Sequence, residues 1–217
     1  GGIAVTFRDK NQHFGEIDTF TTHTEIEDIL NKIVSYKFQT LSDLVYAPES
    51  YRLSKKLHSE HPETESKLSN GHLYDLTSNI FEKLDDIFFD VKPNERKEYI
   101  QILGRLDNAR VFKWIRRDFV DAHENLEYFK VILPKSNGTG ALGEKLSSPI
   151  VARPFIGHTQ TFISIGAFKT KNEATNLLKY IKSKFTRLLL GTLKVTQDNK
   201  KDVWKNIPLQ DFSSHSD

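Results

Sequence analysis

The sequence predicts a mixed α/β or α+β fold, in which a twisted mixed β-sheet is flanked by helices. Short runs of β-branched and aromatic residues alternate irregularly with segments of helical periodicity, a pattern that fits neither a helical bundle nor a β-sandwich. The composition, 37% hydrophobic and 28% charged, is that of a folded globular protein. With 217 residues the chain can bury one sizeable core or two small lobes.

The first elements are a strand and an amphipathic helix. Residues 3–7 (IAVTF) favour a strand that ends at a polar turn. Isoleucines and a leucine then recur at helical intervals from residue 26 to 33. Two threonine–glutamate pairs before them have the spacing of a capping box: Thr22 with Glu25, and Thr24 with Glu27. Residues 54–72 are polar, with a proline and an Asn-Gly pair, and predict a surface excursion.

The second half predicts strands, one long helix and a terminal anchor. Strands are expected at residues 99–103, stopped by Gly104, and at 128–134 and 161–166. A Thr170–Glu173 capping box and the apolar stripe behind it predict a long amphipathic helix near 171–191, ended by Gly191. Residues 204–209 are apolar enough to pin the chain end to the core.

Charge is distributed unevenly along the chain. Residues 1–100 carry 12 Lys+Arg and 18 Asp+Glu, a net charge of −6, whereas residues 101–210 carry 19 and 9, a net charge of +10. The last seven residues add −2, which gives the overall charge of +2. A strongly basic half can displace counterions from a polyanion such as DNA. The alternative is an ordinary solvated surface with chance clustering.

The composition also restricts the compartment and the chemistry. There is no cysteine, so disulfides and thiolate chemistry are excluded. No apolar run approaches the roughly 18 residues of a membrane helix, and no signal peptide opens the sequence. We therefore expect a cytoplasmic location and no membrane partner. The chain contains no methionine, not even an initiator, which favours a piece excised from a longer protein.

A glycine-rich segment follows the strand predicted at 128–134. Residues 138–143 match G-x-G-x-x-G, but the dinucleotide fingerprint also requires a helix that starts in the glycines and an acid about 20 residues later. Pro149 breaks any such helix, and no Asp or Glu occurs between Glu144 and Glu173. We interpret the segment as a flexible loop whose bare amides can meet a phosphate or a base edge.

Evidence for enzymatic chemistry within the chain is weak. Asp90 and Glu95, with Lys97, superficially resemble the carboxylate and E-x-K pattern of metal-dependent nucleases. They lie close together beside Pro93, in an acidic run that a solvated face explains better. The eight histidines form no H-x-x-x-H pair, and no G-x-S-x-G elbow occurs. The sequence predicts no catalytic residue, metal site or cofactor in this chain.

A cationic cluster follows Gln101 and is opposed only by Asp107 and Asp118. Its members are Arg105, Arg110, Lys113, Trp114, Arg116 and Arg117. Arginine forks suit guanine edges and phosphates, and an aromatic neighbour can stack on a base. The alternative is internal pairing with the acidic first half, since ion-pair networks mimic binding patches. Lys135, Arg153 and the cationic helix face enlarge the basic surface and favour DNA.

Several stretches of the sequence are informative when taken together: residues 129–138, 161–168, 173–191, 193–197 and 204–212. They resemble the C-terminal target-recognition region of bacterial restriction–modification adenine-specific DNA methyltransferases, including those fused to endonucleases. Residues 1–7 (GGIAVTF) look like the final hairpin of the methyltransferase catalytic sheet in that family. The resemblance covers nearly the whole chain and is closest from about Tyr99 onward.

The resemblance implies a domain that recognises the DNA sequence but lacks the catalytic residues of the methyltransferase. Residues 1–20 would be a remnant of the last hairpin of an upstream methyltransferase catalytic domain in the same chain. Residues 21–217 would form the DNA target-recognition domain, with an acidic part at about 21–100 and a basic part at about 101–210. The cofactor loop for S-adenosylmethionine and the Asn/Asp-Pro-Pro-Tyr/Phe motif would lie upstream, because neither occurs here. Magnesium would be needed only where a nuclease is fused.

Double-stranded DNA is therefore the expected partner. Lys135 and the amides at Gly138 and Gly140 are expected to hold phosphates. Arg110, Arg116 and Asn137 are the expected base readers because they can form bidentate pairs. The full set of expected contacts is Arg105, Arg110, Lys113, Arg116, Arg117, Lys135, Asn137, Gly138, Gly140 and Arg153. The alternatives are a metal-dependent endonuclease domain that uses Asp90 and Glu95, and a protein-interaction module whose basic half meets an acidic partner.

Overall fold

The structure, a computed structural model, describes residues 6–13, 19, 21 and 23–213. The strand and final hairpin predicted at the N-terminus fall largely on residues outside this range, as does Thr22 of the first capping-box pair. The second pair is a wrong prediction. Thr24 is the first residue of the helix rather than its cap, and the N-cap residue His23 makes no side-chain capping bond.

The described chain contains six α-helices and nine strands, joined by turns and short 3₁₀ helices. The helices are α1 (Thr24–Val34), α2 (Lys55–Glu60), α3 (Glu63–Lys67), α4 (Ile80–Lys83), α5 (Lys171–Lys182) and α6 (Lys184–Leu193). The strands are β1 (Val45–Tyr46), β2 (Tyr51–Leu53), β3 (Tyr99–Leu106), β4 (Ala109–Arg116), β5 (Val120–Ala122), β6 (Phe129–Pro134), β7 (Ile150–Ala152), β8 (Ile156–His158) and β9 (Phe162–Phe168).

The strands form three small sheets. One has four antiparallel strands in the order β1-β9-β6-β7, and a second pairs β2 with β5. The third has the order β4-β3-β8, in which β3 pairs with β4 antiparallel and with β8 parallel. The predicted mixed class is confirmed, and the fold is α+β. The predicted single sheet is instead three separate sheets, and strands distant in sequence pair within them, such as β1 with β9 and β2 with β5.

Three apolar clusters hold these sheets and helices together. The largest packs α1, α5, α6 and the C-terminal segment on the four-stranded sheet, and it contains the fully buried Trp204 and Ile207. The terminal anchor is thereby confirmed. A second cluster joins residues 51–88 to strands β3 and β4, and a small third cluster links the two larger sheets. Because the second cluster takes residues from both sides of position 100, the acidic and basic parts share a core.

Three local predictions are corrected. The helix near 171–191 is two helices, because the Ser183 side chain accepts the Thr186 amide and starts α6; Gly191 lies inside α6. Strand β3 continues through Gly104, where a Cβ would collide with the Phe81 ring. Residues 54–72 contain α2 and α3, and Leu57 and Leu68 are buried in the second cluster.

A buried polar network crosses the space between the sheets. The Lys130 ammonium group is fully buried and donates to the carbonyls of residues 125, 126 and 128 at 2.9, 3.4 and 3.1 Å. Burial lowers its pKa to about 7. His158 is also fully buried, and burial lowers the pKa of its imidazole to about 3. Ser164 contacts His158 Nε2 at 3.2 Å and accepts from Asn125 Nδ2 at 3.0 Å.

None of the helices in the described residues combines the length and the apolar character that a membrane crossing requires.

Candidate nucleic-acid interface

The β3–β4 hairpin places two arginines side by side. Arg105 and Arg110 are directly paired across the hairpin, which is closed by Asp107 and Asn108 in the left-handed region with φ of 49° and 61°. A two-residue turn of this kind favours Asn and Asp, whose short side chains tolerate positive φ. Because paired residues of an antiparallel ladder share a face, both guanidinium groups leave the same side of the sheet.

Aromatic side chains continue that side of β4. Phe112 and Trp114 follow Arg110 at intervals of two, so all three share one face. Phe112 is 39% exposed, and the Lys92 ammonium lies 5.9 Å from the centroid of the Trp114 ring. We call Arg105, Arg110, Phe112 and Trp114 the basic–aromatic face. The alternation of Arg110, Phe112 and Trp114 is visible in the sequence and indicates this face. The approach of Lys92 to Trp114 has no such indication in the sequence.

Arg105 also lines a cavity of about 470 Å³, which we call the Arg105–Lys135 pocket. Lys135 enters it from the residue after β6, and His72 from the chain between α3 and α4. The remaining lining residues are polar or neutral: Ser69, Thr77, Ser78, Pro134, Ser136, Gln160 and Thr161. No carboxylate lines the pocket, and within the described residues neither Arg105 nor Lys135 is ion-paired. The pocket is therefore a concave set of cationic and hydroxyl donors.

The hydroxyl residues of the pocket and His72 were missed from the sequence. His72 Nδ1 lies 2.8 Å from Asp75 Oδ2, which orients the imidazole at the pocket wall. The lining residues come from four chain segments between residues 69 and 161, and only folding brings them together. Residues 54–72 were expected to be a surface excursion, so no pattern in the sequence indicated that Ser69 and His72 line a binding pocket.

Arg110 and Arg153 connect the two larger sheets. Arg110 donates from both terminal nitrogens to the carbonyls of Ser148 and Ser147, at 2.6 and 2.9 Å, and its guanidinium lies 5.6 Å from the Phe162 ring centroid. Its bidentate edge is thus occupied. Arg153 is exposed and donates to Gln101 Oε1 at 2.8 Å, so most of its donors remain unused within the described residues.

Other members of the predicted set are engaged with the acidic first half. Arg116 is 9% exposed and binds the carboxylates of Glu60 and Asp118, and its guanidinium lies 4.0 Å from the Phe119 ring centroid. The hydrogen bonds that it donates to Glu60 and Asp118 raise its pKa. Lys113 Nζ lies 2.5 Å from Asp90 Oδ1.

These pairs have a direct consequence for base reading. Both edges of the Arg116 guanidinium face carboxylates, so Arg116 has no free edge for a base in this structure. Arg117 is half-buried and donates to the carbonyl of Val120 at 2.8 Å. The cationic stretch after Gln101 is therefore divided into an exposed end at Arg105, a half-buried and internally bonded Arg110, and a carboxylate-paired end at Arg116.

Replacing Arg116 by alanine should destabilise the fold without weakening DNA binding. The change leaves Glu60 and Asp118 without their shared arginine, and we expect the melting temperature to fall by about 5 °C. Duplex affinity should stay within about two-fold of the wild-type value, because Arg116 reaches no ligand. Arg52→Ala, which removes an exposed arginine with one ion pair to Asp75, is the matched control. A melting temperature unchanged in Arg116→Ala, with lost affinity, would restore Arg116 as a DNA contact.

The loop after β6 is closed by Asn137. This side chain is buried, donates to the Lys145 carbonyl at 3.0 Å and accepts the Ser147 amide. Both of its polar atoms are engaged, so it has no free edge for a base. The Gly140 amide donates to Glu144 Oε1 at 3.2 Å, and the neighbouring Thr139 amide to Glu144 Oε2 at 2.9 Å. An internal carboxylate thus occupies part of the place expected for a phosphate.

The carboxylates of the nuclease alternative do not converge. Asp90 pairs with Lys113, and Glu95 accepts from the Tyr99 hydroxyl at 3.1 Å. In the part of the chain that the structure describes, no group of three or more His, Asp or Glu side chains is placed to hold a metal ion.

The fold and the site define an α+β protein with a cationic, carboxylate-free pocket beside a basic–aromatic strand face. No protein-family model matches the chain, and comparison with curated proteins and with solved structures also yields no match.

Proposed function

We propose that the chain binds duplex DNA and holds backbone phosphates at the Arg105–Lys135 pocket. The observation that carries this proposal is the pocket itself. Two cations that lie 30 positions apart in sequence line one cavity with His72 and several hydroxyls, and neither cation is paired with an acid within the described residues. The carboxylates of Asp75 and Asp198 bind the lining residues His72 and Ser136 instead. Phosphates are held in this way by Lys and Arg together with Ser and Thr hydroxyls.

The basic–aromatic face supports the same ligand. Arg105 belongs both to the pocket and to this face, so the two donor surfaces are continuous at that residue. Exposed Phe112 and half-buried Trp114 offer apolar contacts beside the cations. Arginine and aromatic residues together are typical of surfaces that meet nucleic acid.

The proposed contacts are narrower than the set expected from the sequence. Arg110, Arg116 and Asn137 are not retained as base readers, because their hydrogen-bonding groups are engaged within the protein. We assign the base contact to Arg153 instead, and Arg105 keeps its phosphate role in the pocket. Each gives one hydrogen bond to a neutral acceptor, Gln101 Oε1 and the Asn108 carbonyl respectively, which leaves further donors unused.

The wider role we propose is target recognition within a restriction–modification adenine-specific DNA methyltransferase. This role rests on the resemblance of the sequence stretches described above. It places the catalytic domain, its S-adenosylmethionine and the extruded adenine elsewhere in the same longer chain. The present residues then supply register on the duplex and contacts to base edges.

A salt series with a fluorescent duplex tests DNA binding directly. Because phosphate contacts release counterions, we expect the logarithm of affinity to fall linearly with the logarithm of salt, with a slope of about −2 or steeper for two or more contacts. Absence of binding at low salt would refute the proposal and favour the interaction module with an acidic protein partner. Cleavage of a plasmid in the presence of magnesium would favour the nuclease alternative.

A further inference from the structure

The glycine-rich loop is folded around the carboxylate of Glu144. Oε2 accepts the Thr139 amide at 2.9 Å, and Oε1 accepts the Gly140 amide at 3.2 Å and the Lys194 ammonium at 2.8 Å. Burial alone would raise the pKa of this carboxyl group, but Lys194 and the two amides lower it to about 2. Two amides and one ammonium thus converge on a single oxyanion.

The donors are fixed more firmly than the acid that they bind. The Lys194 side chain is 1% exposed, and its ammonium is also held by the Asn137 carbonyl at 2.8 Å. Asn137 in turn clamps the two ends of the loop through Lys145 and Ser147. Glu144 lies within the loop that it binds, and its side chain is 17% exposed. Turning it to solvent leaves the buried Lys194 ammonium without a carboxylate, so its displacement requires an incoming anion.

Glycine is required where the loop approaches the carboxylate. Gly138 and Gly140 have φ of +63° and +87°, a region that other residues rarely adopt. A Cβ at position 138 would overlap the Glu144 carboxylate. Successive amides in such a conformation form a concave anion site. The loop therefore has the backbone of a phosphate-binding turn, with an internal carboxylate in the place of the phosphate.

We propose that the Thr139 and Gly140 amides and Lys194 form a phosphate-binding site that Glu144 occupies and thereby inhibits in the free protein. An incoming phosphate group displaces the Glu144 carboxylate, which turns to solvent. The phosphate then accepts hydrogen bonds from the same three donors. The site follows Ser136 of the Arg105–Lys135 pocket closely in sequence. The ligand is defined as a phosphate oxyanion, free or in a DNA backbone, so the inference does not require the proposed function.

Titration with inorganic phosphate, followed by amide NMR shifts, tests the inference. Glu144→Gln removes the negative charge that competes with phosphate. We therefore expect the Thr139 and Gly140 amides of this variant to report phosphate binding about ten-fold tighter than in the wild type. This factor corresponds to the loss of about one charge-assisted hydrogen bond from the side chain at position 144. Lys194→Met should abolish the response. Sodium chloride at matched ionic strength corrects for screening.

Glu127→Gln is the matched control, because it removes the same charge from an exposed position before β6, at the strand end remote from the loop. Its phosphate response should equal that of the wild type. Glu144→Asp shortens the acid by one methylene, so we expect its phosphate affinity to lie between those of the wild type and Glu144→Gln. This variant still tests the inference if the loop of Glu144→Gln becomes disordered.

A second arm replaces phosphate by a 20-base-pair duplex. Tighter duplex binding by Glu144→Gln, with shifts at the same two amides, assigns the site to the DNA backbone; shifts with inorganic phosphate alone assign it to a free phosphate. Equal phosphate affinity in the wild type and Glu144→Gln, or no response at these amides in either protein, overturns the inference. Either result leaves duplex binding at the Arg105–Lys135 pocket to be judged by its own salt series.

Discussion

Replacing Arg105 and Lys135 together by alanine is expected to weaken duplex binding about a hundred-fold at low salt. Each residue supplies a charged donor to the pocket, and a charge-assisted hydrogen bond contributes about 1.5 kcal/mol or more. We treat the two losses as additive because the proposal gives each residue its own phosphate, and the Arg105 hydrogen bond within the protein goes to the Asn108 carbonyl. Fluorescence anisotropy of a labelled duplex measures the change.

The matched control removes two lysines from the acidic half of the chain. Lys32 on α1 and Lys55 on α2 are exposed, and their replacement by alanine changes the net charge by the same amount. We expect this variant to lose less than about three-fold in affinity, since exposed charges remote from the ligand are screened. Equal losses in the two variants would mean that net charge, and not the pocket, governs binding.

The second large effect concerns the pH dependence of stability at Lys130. Burial lowers the pKa of this ammonium to about 7 in the folded protein, against an ordinary value of 10.5. Between these values the unfolded chain binds a proton that the folded protein does not. Raising the pH therefore opposes unfolding, and the free energy of unfolding should rise by up to about 1.4 kcal/mol per pH unit from pH 7 upward.

Lys130→Met tests this by removing the titrating group while retaining most of its volume. The free energy of unfolding is measured by urea denaturation at pH 7, 8 and 9. Between pH 7 and pH 9 it should rise by about 2 to 3 kcal/mol less in Lys130→Met than in the wild type. Lys179→Met, on the exposed side of α5, should keep the wild-type slope. Parallel pH profiles for Lys130→Met and the wild type would show that the buried ammonium does not titrate in this range.

The fold class could be predicted because it depends on local patterns. The segments at 128–134 and 161–166 became β6 and β9, since their β-branched and aromatic runs also fit the core. The break at Ser183 could not be predicted from the apolar stripe, which continues in register through both α5 and α6. Only the hydroxyl of Ser183, which accepts the Thr186 amide, distinguishes two helices from one.

The site was harder to predict because charge patterning does not say which ions are paired. The net charges of −6 and +10 indicated a basic surface, but Arg116 and Lys113 face acids from the first hundred residues. Opposite charges on two halves that share a core neutralise each other where they meet. The pocket depends on a tertiary approach of Arg105 to Lys135 that has no periodicity in the sequence.

The salt dependence of duplex affinity, measured side by side for the wild type and the Arg105→Ala/Lys135→Ala variant, tests the central claim most directly. Each phosphate contact contributes about 0.9 to the slope of log affinity against log salt. We predict that the variant's slope is shallower than that of the wild type by about 1.8, which corresponds to two lost contacts. Identical slopes would contradict the assignment of backbone phosphates to this pocket.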